Sequence, residues 1–218
     1  RDAVIFTPHP RTAGTTHEMV KVMRAACKVV GAPEDLFQAI RNPSIPVTNY
    51  LMEACDLTLA TGGQPMVRAA YSSGKPAYGV GAGNSSIVID ETADIDIAAM
   101  NTRMSKTSDF GSGCSADGNI IIQKSIYAEV VRALEAEGGY LCNEEEKALL
   151  EKAMWDEKGN RTFATIASPP QKTAEVAGFN IPADRKFLIV DNQGQIGYEH
   201  KFCKEKLTTL MALYHFDD

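Results

Sequence analysis

The apolar positions of this chain change period every few residues. Residues 3–7 form a short apolar run that predicts a strand. A helix is expected from about Thr15, where Glu18 three residues on offers a capping box. Met19, Met23, Cys27 and Val30 then recur at helical spacing and are expected to face a sheet. Gly31 and Pro33 end that helix. Residues 36–40 predict a strand, 46–54 a helix, 56–60 a strand, 64–71 a helix and 76–80 a strand. Strands alternating with helices at this rhythm predict a parallel sheet with crossover connections, an α/β fold.

The pattern continues through the second half. Ser86-Ile87-Val88-Ile89 is strand-like. A helix over 93–107 is expected, with Thr92 as its cap. Asp94 and Asp96 fall in its first turn and Arg103 and Lys106 near its end, as the helix dipole favours. A loop of glycine and serine follows, and Ile120-Ile121-Ile122 then reads as a buried strand. Ser125 is placed to cap a helix with the core stripe Ile126, Val130 and Leu134, ended by Gly138-Gly139. Asn143 starts another, and its Glu144-Glu145-Glu146 run reads as a solvated end. Residues 154–162 are polar and turn-rich, 171–177 predict a short helix, and 186–190 and 210–214 are apolar runs.

Composition narrows the function classes. The 218 residues are 44% hydrophobic and 23% charged, ordinary for a globular protein with a real core. A net charge of −6 gives no basic surface for nucleic acid. No apolar run is long enough to span a bilayer. The five cysteines are widely spaced and form no CxxC pair, so neither a metal site nor a disulfide framework is expected, and a reducing cytoplasm fits best. The chain opens at Arg1-Asp2-Ala3 on the edge of a strand and stops at Asp217-Asp218 as another ends, so an internal fragment is expected.

Three stretches carry candidate chemistry. Cys114 sits among small residues between a helix and a strand, sterically open as a thiolate nucleophile must be. The same residue also reads as a small thiol packing a turn. Gly62 and Gly63 leave the backbone open before a helix N-terminus, which suits a phosphate or a flat cofactor ring, or serves a tight turn. His9-Pro10-Arg11 lies in a loop after a strand, at the end of a parallel sheet where ligands gather, and equally reads as surface, the better reading for Arg11. The run Gly79-Val80-Gly81-Ala82-Gly83 is not a dinucleotide fingerprint, because its spacing is wrong and it leads into a strand.

The segment from Ser105-Lys106-Thr107 through Cys114-Ser115 resembles the catalytic cysteine segment of CoA-acylating aldehyde dehydrogenases, including the aldehyde half of the bifunctional aldehyde–alcohol dehydrogenases. Pro8-His9-Pro10-Arg11, Ala60-Thr61-Gly62-Gly63, Ser73-Gly74-Lys75-Pro76, Gly79 to Asn84, Asp90 to Asp94 and Lys204-Glu205-Lys206-Leu207 match in the same order. The resemblance implies an aldehyde dehydrogenase-like fold. Residues 1–80 would be the C-terminal part of an NAD-binding domain, and 81–218 the cysteine-bearing catalytic domain. It implies oxidation of a small aldehyde with NAD(P) and coenzyme A through a thioester on Cys114. It also implies a homo-oligomer, cytoplasmic or housed in a bacterial microcompartment. His9 and Pro10 would contact the adenosine part of NAD or CoA, and Thr61, Gly62 and Gly63 the nicotinamide side. Glu205, otherwise an exposed glutamate between two lysines, would hold the nicotinamide ribose. Val80 stands where hydrolytic relatives carry a water-activating glutamate, and valine cannot take a proton.

The chain departs from the family pattern beside the nucleophile. Ser108-Asp109-Phe110-Gly111 replaces Phe-Asp-Asn-Gly, and Ser115-Ala116-Asp117 replaces Ala/Ser-Ser-Glu. An altered pocket is therefore expected, open to a polar or anionic aldehyde such as sulfoacetaldehyde or a semialdehyde beside acetaldehyde. Two rivals stand. One is a hydrolytic enzyme using Asp109 or Asp117 as base, and the other a non-catalytic assembly fragment.

Overall fold

A computed structural model describes residues 2–217, so the expectations touching Arg1 and Asp218 lie outside it. The chain divides into two compact units, one running to Gly81 and the other starting at Ala82.

The first unit holds β1 (Val4–Phe6), α1 (Ala13–Val29), β2 (Phe37–Ala39), α2 (Ile45–Ala54), β3 (Thr58–Thr61), α3 (Gln64–Tyr71) and β4 (Ala77–Val80). β1 pairs in parallel with β2, and β3 with β4. Each pair is joined across a helix, the connection that parallel strands require. α2 starts where Ser44 Oγ accepts a hydrogen bond from the Val47 amide at 3.4 Å, with a proline in its first turn. α1 differs from expectation. It begins after Thr12, and Glu18 pairs with Lys21 at 2.6 Å instead of capping. Its inward positions are Val20, Met23 and Cys27, whereas Met19 is 60% and Val30 77% exposed. Met23 and Cys27 keep the expected face, and Val20, three residues before Met23, continues it in place of Met19.

The second unit holds β5 (Ser85–Ile89), α4 (Ile95–Thr107), β6 (Asp117–Gln123), α5 (Tyr127–Ala136) and β7 (Gly139–Cys142). It continues with α6 (Glu144–Met154), α7 (Pro170–Ala177), β8 (Phe187–Asp191) and β9 (Leu210–Phe216). One parallel sheet of order β5-β6-β9-β8-β7 runs through it. Phe187 and Ile189 of β8 join Ile120, Ile122, Val130 and Leu134 on one face. Leu188 and Val190 join Leu150, Met154 and Leu210 on the other. The central strands β6, β9 and β8 are buried on both faces, which is why they read as apolar runs.

Local details correct the sequence reading. Asp94, not Thr92, caps α4, accepting from the Ile97 amide at 3.0 Å, while Thr92 is held in a turn by Asp90. Ser125 lies inside a 3-10 turn that precedes α5 and caps nothing. Gly138, with φ 98°, ends α5, but Gly139 opens β7, a strand with no β-branched residue to announce it. Asn143 and Glu146 form a full capping box, so the acidic run is partly structural. Leu134 is fully buried, and Leu134→Ala in the full-length protein lowers the unfolding free energy by about 2–5 kcal/mol. The midpoint of urea unfolding measures it.

Candidate active site

Cys114 is carried by the loop between α4 and β6. After α4 the backbone enters the left-handed region at Asp109 (φ 50°), Phe110 (φ 51°) and Gly111 (φ 65°). Glycine adopts this region freely, and the other two are strained there, as often happens beside functional groups. Gly111 is also required for space, because a Cβ on it would lie 2.5 Å from the Thr208 carbonyl oxygen. The Ala116 amide donates to the Gly113 carbonyl at 2.9 Å, which puts Cys114 at the first corner of a β-turn. The Asp117 amide donates to Ser105 Oγ at 3.1 Å and ties the loop's end back to α4. Gly83 packs against the loop, and a Cβ there would come within 2.7 Å of the Cys114 carbonyl oxygen. All five cysteines are free thiols; Cys114 is exposed, Cys142 is buried and the other three are half-buried.

A cavity of about 10 Å³ is lined by Cys114, Glu205, Lys106, Lys206, Gly83 and Leu207 among others. It is close to the smallest space that holds one water molecule. Glu205 Oε1 accepts a hydrogen bond from the Gly83 amide at 3.2 Å. Burial pushes its carboxyl up, opposed by the Gly83 hydrogen bond and the nearby Arg161 charge. Lys206 is buried, and its Nζ donates to Asn119 Oδ1 at 2.8 Å and to the Lys204 carbonyl at 3.1 Å. Asn119 Nδ2 in turn donates to Asn84 Oδ1 at 3.0 Å and to the Cys203 carbonyl at 3.3 Å. Arg161 lies over the Trp155 ring at 5.1 Å and donates to the Lys206 carbonyl at 2.8 Å. Burial lowers its guanidinium to about 10, with Glu205 opposing. Lys106 is 1% exposed, and burial lowers its amine to about 8, with Asp117 raising it and Arg161 lowering it.

Sequence reasoning missed these cations. Lys106 was read as a helix-dipole partner, and Lys206 figured only as a lysine beside Glu205. Arg161 lay in a stretch read only as turn-rich. One signal was present: Lys106 continues the inward stripe Ala99, Thr102 at helical spacing, so it could not point to solvent.

The other predicted residues belong to the first unit. His9 and Pro10 are exposed where a 3-10 turn follows β1, and His9 Nδ1 accepts from the Arg11 amide at 3.2 Å. Thr61, Gly62 and Gly63 are exposed and lead from the carboxyl end of β3 into α3, and the Gly62 amide donates to the Val80 carbonyl at 3.0 Å. Val80 ends β4 and is half-exposed. Both stretches thus follow carboxyl ends of parallel strands, while Cys114 and Glu205 share the cavity of the second unit.

A model of the aldehyde dehydrogenase family matches residues 2–141. The chain is 40% identical to the bifunctional aldehyde-alcohol dehydrogenase of Escherichia coli (strain K12), over 100% of this chain and 24% of that protein. The crystal structure of an acetylating aldehyde dehydrogenase from Geobacillus thermoglucosidasius superposes with a TM-score of 0.94 at 39% identity, over 98% of this chain and 47% of that one. The propionaldehyde dehydrogenase of Rhodopseudomonas palustris, solved with bound CoA and an acylated cysteine, gives 0.90 at 27% identity, over 99% and 49%. The chain therefore spans about a quarter to a half of the length of these proteins.

Exposure sets the order of alkylation: Cys114 reacts with iodoacetamide before the other four cysteines, as peptide-resolved mass spectrometry would record. Lys106 yields a pH prediction. Its amine is lowered from 10.5 to about 8, so between these values the unfolded chain holds a proton that the folded chain does not. Stability therefore rises with pH across that window, and Lys106→Met flattens the rise by up to about 3 kcal/mol, read from urea unfolding at both ends.

Proposed function

The chain belongs to the aldehyde dehydrogenase family, and on that premise we propose that the protein carrying it is a CoA-acylating aldehyde dehydrogenase. The observation that carries the reading is the exposed Cys114, presented on a turn and sharing a cavity with Glu205. The Cys114 thiolate attacks the aldehyde carbonyl and forms a hemithioacetal on sulfur. Backbone amides, including that of Cys114, hold the oxyanion. NAD(P)⁺, held by the residues assigned below, would supply the hydride acceptor, and loss of hydride from the hemithioacetal would leave a thioester on Cys114. The CoA thiolate then takes the acyl group and frees Cys114.

Glu205 is assigned to the nicotinamide ribose hydroxyls, a role that fits a carboxylate with only one oxygen engaged, by Gly83. Thr61, Gly62 and Gly63 are assigned to the nicotinamide side and His9 and Pro10 to the adenosine part. Open backbone at the carboxyl ends of parallel strands supports both assignments. We assign the first unit to NAD binding and the second to catalysis. Val80, in place of a water-activating glutamate, supports a thiol rather than water as acyl acceptor. The changed residues around Cys114 support a small polar or anionic aldehyde, such as sulfoacetaldehyde or a semialdehyde, beside acetaldehyde. The bound CoA and acylated cysteine of the Rhodopseudomonas palustris protein support the same chemistry. Cysteine usage supports a cytoplasmic setting, and the family a homo-oligomer; no helix among the described residues is long and apolar enough to cross a membrane.

The full-length protein is expected to form NADH or NADPH from acetaldehyde or a polar aldehyde only when CoA is present. Cys114→Ser lowers that rate about a thousand-fold or more. Reduced cofactor formed equally well without CoA would overturn the acylating reading.

A further inference from the structure

Four titratable side chains line the Cys114 cavity: Lys106, Cys114, Glu205 and Lys206. Lys206 Nζ has two acceptors, and Glu205 accepts from Gly83. Lys106 differs. It is 1% exposed, yet its Nζ makes no hydrogen bond or ion pair with the described residues. A buried amine without an acceptor is unfavourable, and the helix stripe that points it inward is otherwise Ala99 and Thr102. Its cost is an argument that the amine serves the cavity.

We propose that Lys106 is the proton acceptor for the Cys114 thiol, acting across the one water molecule that the cavity can hold. The inference rests on Cys114 being the nucleophile. The Cys114 S–H bond breaks with its electron pair left on sulfur. That proton passes to the water, and a proton of the water passes to the lone pair of neutral Lys106 Nζ. Thiolate and ammonium result, with no net change in charge and no further reactant. The charged groups around the amine suit this cycle. Arg161 opposes its protonation, so that with burial a neutral fraction of about one in ten exists at pH 7. Asp117 favours the ammonium once formed. Glu205, the one carboxylate lining the cavity, has its charged form disfavoured by burial and already accepts from Gly83.

The test is peptide-resolved iodoacetamide alkylation of the full-length protein at pH 7 and pH 10. Lys106→Met slows Cys114 alkylation about tenfold at pH 7 and leaves it unchanged at pH 10. Lys106→Ala behaves alike, and added propylamine restores its rate at pH 7. Rates at pH 7 equal to wild type in both variants overturn the proposal. So does an equal slowing at both pH values without amine rescue, which is the mark of a displaced loop. A wild-type Cys114 that reacts no faster than Cys27 or Cys55 would instead remove the nucleophile reading itself, before any variant is made.

Discussion

The hydrogen bond from the buried Lys206 amine to Asn119 Oδ1 supports the Cys114 end of the second unit. Asn119 sits in β6, just after the Cys114 loop, and Lys206 follows Glu205 directly. Through Asn84 and the Cys203 carbonyl the same network reaches the start of β5 and the segment before Glu205. The Cys114 loop, Glu205 and the entry strand are therefore held by one polar cluster at the cavity. In a low-dielectric interior such a network is strong when satisfied and costly when broken.

The cluster concentrates like charge. Lys106, Lys206 and Arg161 lie together with Asp117 and Glu205 as the opposing carboxylates, and burial lowers all three cations. Backbone strain gathers in the same place, at Asp109, Phe110 and Leu207, the last with φ 52°. Close contacts that exclude any Cβ at Gly83 and Gly111 complete the enclosure. Strain, unfavourable charge and tight packing persist only where surrounding structure over-determines them, here the buried central strands β6, β9 and β8.

Much of the fold was legible because its strands are short, apolar and separated by helices with plain boundaries. α3 coincides with its expected range, since Pro65 in its first turn and a period of 3.6 mark it. β7 escaped because Gly139-Tyr140-Leu141-Cys142 has no β-branched residue and gains its place only by pairing with β8. The cap of α4 was displaced by two residues because Asp90 holds Thr92 in its own turn. Cys114 could be singled out from the small residues around it, whereas the lysines and Arg161 could not. Their chemistry comes from burial, and a charged residue does not announce that.

The sequence by itself determined the alternation of strands and helices and the open loop around Cys114, because local periodicity and residue type suffice for these; Glu205 stood out only through the family resemblance. Only the tertiary structure decided that Cys114 and Glu205 share one cavity and that Lys106, Lys206 and Arg161 are buried beside it. Residues 106, 161 and 206 are far apart in the chain. Sheet order β5-β6-β9-β8-β7 sets β9 beside β6, which draws the segment before β9 onto the Cys114 loop. Burial is a property of that long-range pairing, and no window of sequence contains it.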